Sequence, residues 1–448
     1  MAEQGSSTKQ LVPTLGFGDL MGSAVGQIIG AGIMSLLPSA LAITGRSVPF
    51  SFLVAAIITV CQAISFIFIS SVVRLRGGAY TQMSMLTGKN WVGMYSICYI
   101  LSNVSLAMYG LSLGSYLCSL FNLDPSMEKI IALVVLTVFL GLNLLGLDAF
   151  AKVQNLLVII LIGSLLMFGI MGIGKVQWGT YFVQDEGWML NGIGGMLRAG
   201  GLLTFATGGA TIACNFSAEA KNPTRDLPLV IIISTLSVAV LYGVLAFVAA
   251  GVLPLEQVLG QNLTVVASKI LARPFYIVFV VGGAGCALAS TLNNQLATTP
   301  KPIMQMCDDG WLPRSLATLN KKNVPWKIIL VLYIIGVVCV VSGLSISMLS
   351  NMCILSTGVT TIIMNFSTRK LPKLVPNAWA KSKFRVSQGV LNVFCAIAAL
   401  ASAFNVYLNA SSLSTGLLLF NVGVIGAAFV FGIVKGKTAT VEPSYEEV

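Results

Sequence analysis

Long apolar runs constrain this chain more than any other feature. Of its 448 residues, 56% are hydrophobic and 9% are charged, and the mean hydropathy is +0.90. No water-soluble domain can cover so much apolar surface. A helix needs about 20 apolar residues to cross a bilayer, so the runs predict an all-α polytopic membrane protein with about 12 transmembrane helices. The runs occupy residues 15–43, 48–73, 91–121, 128–147, 150–174, 196–218, 227–253, 275–304, 327–344, 347–366, 386–407 and 412–434.

The net charge of +11 reflects membrane topology and does not indicate nucleic-acid binding. If the first residues are cytoplasmic and the helices alternate, the few basic residues outside or near the outer face are Arg46, Lys129, Lys175, Arg198, Lys269 and Arg273. The others lie inside, which satisfies the positive-inside rule. We therefore expect a multi-pass cell-membrane protein with both termini cytoplasmic and an even number of helices. Because the first residues are polar and lack the basic start of a signal peptide, we expect the first apolar run to be retained.

The chain lacks the residues that several classes of protein need for their function. The chain has nine cysteines and no histidine. Since no two cysteines form a Cys-x-x-Cys pair and histidine is absent, we expect neither a zinc site nor a histidine-ligated haem. We expect the cysteines to act as small buried hydrophobic residues. No nucleophile–base pair appears at membrane depth and no Walker-type phosphate loop is present, so we expect neither an enzyme nor direct drive by ATP.

Two glycine-rich breaks interrupt the apolar runs. The first run contains Gly26-Gln-Ile-Ile-Gly-Ala-Gly32, and the sixth contains Thr207-Gly-Gly-Ala210. Paired interruptions in corresponding segments of two halves indicate a transporter site at the membrane centre. A stripe of small residues for close helix packing is the alternative for the first break. A channel-like pore would also tolerate such breaks, and a counterflow assay separates it from a transporter.

The groups that these breaks free suit an α-amino acid. N–H groups at the first break, helped by the positive end of the following half-helix, can hold a carboxylate. Unwound carbonyls around Thr207 and Gly208, and of Ile28 or Ile29, can accept from an ammonium. The central thirds of the helices contain essentially no charged residues, so we expect a neutral substrate. The predicted substrate-binding residues are Ile29, Gly30, Ala31, Gly32, Thr207, Gly208, Gly209, Ala210 and Asn294.

Asn294 belongs to a polar cluster with Asn293 and Gln295 in the eighth run. Amides in a membrane must find partners. They can line a water-filled pathway or bond to a neighbouring helix, and the sequence leaves both open. Further candidates with a weaker case are Gln27, Gln62, Ser356 and Thr357.

A charged segment follows the second break and reads Ser217-Ala-Glu-Ala-Lys-Asn-Pro-Thr-Arg-Asp-Leu-Pro228. Together with the Gly-x-Gly-Ile pattern at residues 30–33, it resembles the amino acid–polyamine–organocation superfamily of transporters. That family carries a Gly-x-Gly-Ile break in helix 1 and a Glu-x-Lys-Asn-Pro-x-Arg-x-x-Pro run after helix 6. Two weaker similarities are Arg76-Gly-Gly-Ala-Tyr80 and Cys307-Asp-Asp-Gly-Trp-Leu-Pro313, in which aspartate replaces the family's usual arginine.

The resemblance implies an amino acid permease with a leucine-transporter-like fold of two inverted five-helix repeats, working by alternating access. The corresponding divisions are an N-terminal cytoplasmic segment (1–14), two repeats (15–174 and 175–370), two additional helices (371–434) and a cytoplasmic tail (435–448). The polar tail is expected to be disordered. Within the charged segment, Glu219, Lys221 and Arg225 are either a solvated turn or the latch of a cytoplasmic gate.

One departure from the family concerns the substrate lid. Many relatives carry an aromatic residue after the helix 6 break, where this chain reads Gly208-Gly-Ala-Thr211. The missing ring predicts a larger pocket that accepts a bulky neutral amino acid. Phe205 is then the nearest gate candidate.

A second departure concerns energy coupling. The lysine that many such permeases carry in helix 5 falls on Leu161, while helix 8 carries Ala287-Leu-Ala-Ser-Thr291. Sodium-coupled members of this fold use this helix 8 pattern. The implied sodium ligands are Gly26, Ile29, Ala287, Ser290 and Thr291. Oxygen ligands suit a hard cation, so sodium is the expected coupling ion. The alternative is proton coupling, or exchange without any ion, with hydroxyl groups that bond their own helix.

Overall fold

The computed structural model describes residues 13–30, 32–184, 187–411, 413–442 and 444–447. It is 79% helical, which confirms the predicted all-α class. The α-helices, in chain order, are α1 (Phe17–Ile28), α2 (Leu37–Thr44), α3 (Val48–Ser70), α4 (Gly78–Leu86), α5 (Lys89–Leu101), α6 (Ser105–Phe121), α7 (Met127–Asn143), α8 (Leu147–Ile173), α9 (Trp178–Tyr181), α10 (Gly192–Thr207), α11 (Pro223–Gly251), α12 (Thr264–Ile270), α13 (Arg273–Val278), α14 (Cys286–Thr298), α15 (Pro300–Asp308), α16 (Trp326–Ser342), α17 (Ile346–Ser367), α18 (Leu371–Leu374), α19 (Pro376–Lys381), α20 (Gln388–Ala410) and α21 (Thr415–Lys435).

Shorter elements mark the interruptions in these helices. The π-helical segments are Gly32–Leu36 and Phe279–Gly285, and the longest 3₁₀ segment is Ala210–Phe216. Two short strands, β1 (Val73–Leu75) and β2 (Tyr445–Glu447), pair in antiparallel orientation.

Nine segments within the described chain are long and apolar enough to cross a membrane. They are Phe17–Met34, Leu37–Ser70, Lys89–Phe121, Leu147–Ile173, Pro223–Gly251, Arg273–Asp308, Met348–Leu374, Gln388–Ala410 and Thr415–Lys435. The remaining apolar runs fall on α7, α10 and α16, which have 16 or 17 residues each. The multi-pass architecture is therefore confirmed, and the count of about 12 spans and the inverted repeat stay predictions.

Helix α1 lies at the centre of the bundle and α21 at its edge. α1 packs against α8, α11 and α14, and it also contacts the 3₁₀ segment Ala210–Phe216. Of the apolar window around α1, 71% is buried, against 17% for α21. An apolar helix that neighbouring helices leave uncovered suits contact with lipid, so α21 is placed to face the bilayer.

The tail corrects one expectation. We expected residues 435–448 to be disordered, yet β2 pairs with β1, which lies between α3 and α4. The amide of Arg76 donates to the carbonyl of Ser444 at 3.0 Å, and the Arg76 guanidinium pairs with Glu446. The Glu446 carboxylate thus finds basic partners in Arg74 of β1 and the adjoining Arg76, and the backbone gains ladder bonds that composition alone does not reveal.

Candidate functional site

The break in the first transmembrane segment is held by two tyrosines. α1 ends at Ile28 and the chain resumes as the π-helical segment Gly32–Leu36, while the predicted site residue Ala31 lies outside the described residues. The hydroxyl of Tyr242 donates to the Ile28 carbonyl at 2.8 Å, and that of Tyr116 donates to the Met34 carbonyl at 2.7 Å. The Ile28 carbonyl, which we expected to accept a hydrogen bond from the substrate ammonium, therefore already accepts one from Tyr242.

The second break follows from two adjacent glycines. α10 ends at Thr207, Gly208 is extended, and Gly209 has a φ of 124°, which glycine alone adopts at little cost. A Cβ atom on Gly209 would lie 2.9 Å from Cγ of Gln27. The lack of a side chain at Gly209 thus lets the second break approach α1 closely.

A central cavity lies between the two breaks and consists of two adjoining chambers of about 240 and 280 Å³. Both chambers are lined by Ser102, Gly209, Gln295, Thr357 and Thr361. Every side chain that lines either chamber, among the described residues, is uncharged.

The predicted substrate residues divide into two groups. The residues that line the cavity are Gly32, Gly208 and Gly209, together with the gate candidate Phe205. The residues that line neither chamber are Ile29, Gly30, Thr207, Ala210 and Asn294. For Thr207, Ala210 and Asn294, which lie in helical elements, side-chain direction explains the difference, because neighbouring residues on a helix point to different faces. Thr207, for example, is buried and its hydroxyl bonds that of Thr59 at 2.8 Å.

Asn294 stands behind the cavity in a chain of hydrogen bonds. It accepts from the Ser23 hydroxyl at 2.6 Å and donates to the Gln27 amide at 2.9 Å. Gln27 then donates to Gln295 at 3.2 Å, and Gln295 donates to Asn103 at 2.9 Å. Since Gln27 and Gln295 line the cavity, Asn294 fixes the orientation of a lining residue.

Sequence reasoning missed several polar lining residues and named others only as weaker candidates. Of the weaker candidates, Gln27, Gln62 and Thr357 line the cavity and Ser356 does not, while Gln295 of the predicted polar cluster lines both chambers. The missed residues include Ser102, Ser105, Tyr109, Thr204, Thr361 and Asn405 in one chamber and Asn103 and Asn215 in the other. Their signal was present as hydroxyl and amide side chains inside apolar runs, where each needs a partner or a wet surface.

Four of the predicted ion ligands converge between α1 and α14. The Ser290 hydroxyl lies 3.2 Å from the Gly26 carbonyl and 2.9 Å from that of Ala287. The Thr291 hydroxyl lies 2.9 and 3.0 Å from the same two carbonyls. Ile29, the fifth predicted ligand, is buried just after the end of α1. The structure thus forms an uncharged oxygen cluster in which both hydroxyls are placed to donate to carbonyls.

The surface of α8 that faces this oxygen cluster carries no positive charge. A Cβ atom on Gly26 would meet the side chains of Gln154 and Val158. Leu161 follows Gln154 and Val158 at helical spacing on the same face of α8, and it is fully buried. These three positions place no ammonium beside the oxygen cluster.

Glu219 of the predicted latch forms its ion pair with a residue outside the segment 217–228. The Glu219 carboxylate lies 2.6 Å from Nζ of Lys301 on α15, and both side chains are buried. Lys221 and Arg225 are exposed, and their side chains form no ion pair with Glu219. The Glu219 carbonyl also accepts from the amides of Thr14 and Leu15, each at 2.9 Å. Glu219 therefore ties together the segment before α1, the segment after the second break, and α15.

Comparison with known proteins shows which family the chain belongs to. The sequence model of the family described as amino acid permease matches residues 15–433. The chain belongs to the amino acid permease family. The predicted resemblance is thereby confirmed, and this permease is a membrane protein of amino acid transport.

Individual relatives are similar over most of the permease. The branched-chain amino acid permease BcaP of Bacillus subtilis is 27% identical over 341 residues, which cover 71% of this chain and 72% of the relative. BcaP of Lactococcus lactis is 27% identical over 348 residues, covering 71% and 74%. The cationic amino acid transporter 3 of Arabidopsis thaliana is 26% identical over 350 residues, covering 72% and 56%.

Proposed function

We propose that this permease moves neutral L-amino acids across the cell membrane by alternating access, with the substrate in the central cavity and both termini in the cytoplasm. The observation that carries this proposal is the lining of that cavity, which contains no charged side chain among the described residues. A cationic or anionic substrate side chain would lose water there without gaining a charged partner, which is costly.

Helix ends supply opposite partial charges for the two backbone groups of the substrate. The π-helical segment that starts at Gly32 begins at the cavity, and a helix N-terminus favours an anion. α10 ends at Thr207 beside the lining residue Gly208, and a helix C-terminus favours a cation. In this proposal the carboxylate lies near Gly32 and the ammonium near Gly208.

An apolar and aromatic wall receives the substrate side chain. Tyr109 and Phe205 line the same chamber, with ring centroids 6.4 Å apart, and Ile354 and Cys353 lie in it as well. Apolar surface favours an aliphatic side chain. Two relatives are named branched-chain amino acid permeases and two are named cationic amino acid transporters. The uncharged lining favours the first of these two substrate classes.

Sodium coupling is the finer part of the proposal. Four oxygen atoms converge between α1 and α14 and face an uncharged surface of α8: the carbonyl oxygens of Gly26 and Ala287 and the hydroxyl oxygens of Ser290 and Thr291. Because all four are hard ligands, the cluster fits a sodium ion. A bound ion would supply positive charge between α1 and α14. Substrate and ion would then raise each other's affinity.

Exchange without an ion is the second candidate, and one specific observation favours it. Both hydroxyls lie within hydrogen-bond distance of the Ala287 carbonyl on their own helix, three and four residues earlier. This is the ordinary back-bonding of Ser and Thr in helices. In that case the cluster only joins α14 to α1.

Uptake into liposomes tests these proposals. Purified permease should accumulate radiolabelled L-leucine, and excess L-valine should compete while L-arginine and L-glutamate do not. Counterflow driven by unlabelled leucine inside the vesicles should occur, which a channel-like pore cannot produce. Competition by arginine equal to that by valine would overturn the neutral class.

The coupling arm of the experiment compares sodium with choline buffer, without a proton gradient. Sodium should increase uptake in the wild type. The variant with Ser290→Ala and Thr291→Ala should bind leucine equally with and without sodium. Equal uptake by the wild type in both buffers would decide for exchange.

A further inference from the structure

A second cavity lies outside the central site, and we call it the vestibule. It measures about 640 Å³ and is bounded by the ends of α7 and α14, the starts of α8 and α16, and Glu219. It lies on the face that carries the segment 217–228, which the charge distribution assigns to the cytoplasm. Unlike the central cavity, it is lined by charged side chains of both signs.

Glu219 in the vestibule is an incompletely satisfied acceptor. Its side chain is 4% exposed, and Oε1 accepts from Lys301 at 2.6 Å. Oε2 is buried and has no hydrogen-bond donor within the part of the chain that the structure describes. A buried carboxylate oxygen without a donor is costly, so a donor that reaches Oε2 through the vestibule would stabilise it. An ammonium supplies three such donors and a compensating charge.

Groups suited to the other parts of an amino acid line the same space. Lys152 and Lys322 line the vestibule and are exposed, so they can pair with a carboxylate. Phe150, Val324 and Ile329 add apolar wall. A cavity with an orphan carboxylate oxygen, separate ammonium groups and an apolar wall matches a zwitterion that carries an apolar side chain.

An aromatic pair connects the lining of the vestibule with the segment that lines the central cavity. Phe150 lines the vestibule, and its ring centroid lies 5.4 Å from that of Phe216. Phe216 is fully buried and ends the 3₁₀ segment that follows the second break. Asn215, one residue earlier, lines the central cavity. The aromatic contact therefore joins a residue of the vestibule lining to the residue that directly follows a member of the central-cavity lining.

We propose that the vestibule is a second binding site for a zwitterionic neutral amino acid. The ammonium donates to Glu219 Oε2, the carboxylate pairs with Lys152 and Lys322, and the side chain packs against the apolar wall. Such a site would hold the transported molecule next to Phe150, outside the central cavity. The inference rests on the proposed substrate class and adds a second place for the same ligand.

Equilibrium dialysis of the purified full chain with radiolabelled L-leucine counts the sites. The wild type should bind two molecules per chain. In the variant Thr357→Trp the indole should obstruct the central cavity, because Thr357 lines both of its chambers, and one molecule should remain. L-Leucinamide, which lacks the carboxylate, and 4-methyl-2-oxopentanoate, which lacks the ammonium, should each compete at least tenfold more weakly than leucine for that remaining molecule.

Paired variants assign that molecule to the vestibule. Glu219→Gln with Lys301→Gln removes both buried charges together, so neither is left unpaired; on the Thr357→Trp background it should abolish the remaining binding. On the same background, Lys322→Gln should weaken it at least fivefold, whereas Lys321→Gln, the adjacent exposed lysine outside the cavity, should leave it unchanged.

The outcomes separate this inference from the proposed function. If the wild type takes up leucine but binds one molecule, which Thr357→Trp abolishes, the vestibule site is wrong and the transport proposal stands. Binding in Thr357→Trp that survives the Glu219–Lys301 double variant also overturns the vestibule assignment. If the wild type neither binds nor transports any neutral amino acid, the proposed function itself fails.

Discussion

The hydroxyl of Tyr242 on α11 donates a 2.8 Å hydrogen bond to the carbonyl of Ile28, the last residue of α1. Tyr116 on α6 makes the equivalent bond to Met34 beyond the break. A carbonyl freed by unwinding in a membrane must find a donor, because lipid offers none. Two tyrosines from different helices thus stabilise the break in α1 before any substrate arrives.

Replacing Tyr242 by Phe should destabilise the permease while leaving its packing volume almost unchanged. The lost bond leaves a buried carbonyl unsatisfied, which costs about 1–3 kcal/mol. We expect a lower melting temperature in detergent and slower leucine uptake. Tyr407→Phe is the matched control, because Tyr407 is 66% exposed, and it should change neither quantity. An unaltered melting temperature in the Tyr242 variant would show that the carbonyl has another donor.

Gly32 should tolerate no side chain. A Cβ atom there would overlap Cα of Ala206 and lie 2.6 Å from its Cβ, so the first break would have to move away from α10. Gly32→Ala should therefore abolish leucine binding in a thermal-shift assay. Gly163→Ala is the control, because a Cβ atom on Gly163 of α8 would meet no atom within 4 Å. Normal binding by the Gly32 variant would remove the first break from the site.

Both breaks could be predicted from sequence because their causes are local. Adjacent glycines weaken helical structure by themselves, and apolar runs of membrane-spanning length identify helices by themselves. The rotation of each helix about its axis is a different matter. It decides that Gly208 lines the cavity while Ala210 does not, and packing between distant segments sets it.

Partners distant in the chain were also beyond sequence reasoning. Glu219 pairs with Lys301, 82 residues away, although Lys221 and Arg225 are its nearest basic neighbours in sequence. Tyr242 reaches Ile28 across 214 residues. Each partner is one of several chemically adequate residues, and tertiary structure makes the choice.

Phe205 should set the upper limit on substrate size. It lines the central cavity and contacts Tyr109, so Phe205→Ala should enlarge the space for the side chain. We expect L-tryptophan to compete at least fivefold better for leucine uptake in this variant than in the wild type. Phe420→Ala, at a side chain that is 54% exposed on α21, should leave the competition unchanged. Identical selectivity in the Phe205 variant would place the size limit elsewhere.

Ala210→Phe, which sequence alone suggests as a way to narrow the pocket, should act differently. Ala210 is 3% exposed and lines neither chamber. A ring there would overpack the interior, which typically costs about 1–3 kcal/mol. We expect a lower melting temperature with the same order of preference among neutral amino acids. A stable variant that rejects only bulky substrates would return Ala210 to the pocket.

Asp309 should make stability depend on pH. Burial raises the pKa of its carboxyl to about 6, although hydrogen bonds from Tyr80 and Gln305 oppose the shift. The folded protein therefore holds this proton more tightly than the unfolded chain, whose carboxyl has a pKa of about 3.9. The stabilisation is complete below about pH 4 and is lost as the pH rises through about 6. Between pH 4 and pH 7, the melting temperature of the wild type should fall more than that of Asp309→Asn, which cannot titrate at this position. Parallel curves would contradict the raised pKa.

The β2 strand should protect the Arg76 backbone amide, which lies on the edge of β1 that pairs with β2. The Arg76 amide donates to Ser444 in the tail at 3.0 Å, whereas the neighbouring Leu75 amide donates to the Ser217 hydroxyl at 2.9 Å. Removing residues 443–448 deletes the first partner and leaves the second. Hydrogen exchange at Arg76 should then accelerate on the order of tenfold or more, because its protection would fall to that of an open segment. Leu75 should keep its protection and serves as the internal control. Glu446→Gln should accelerate Arg76 more than Glu447→Gln does, since the Glu446 carboxylate pairs with the Arg76 guanidinium. Equal acceleration at Leu75 and Arg76 after deletion would mean that the tail stabilises the whole face rather than one strand edge.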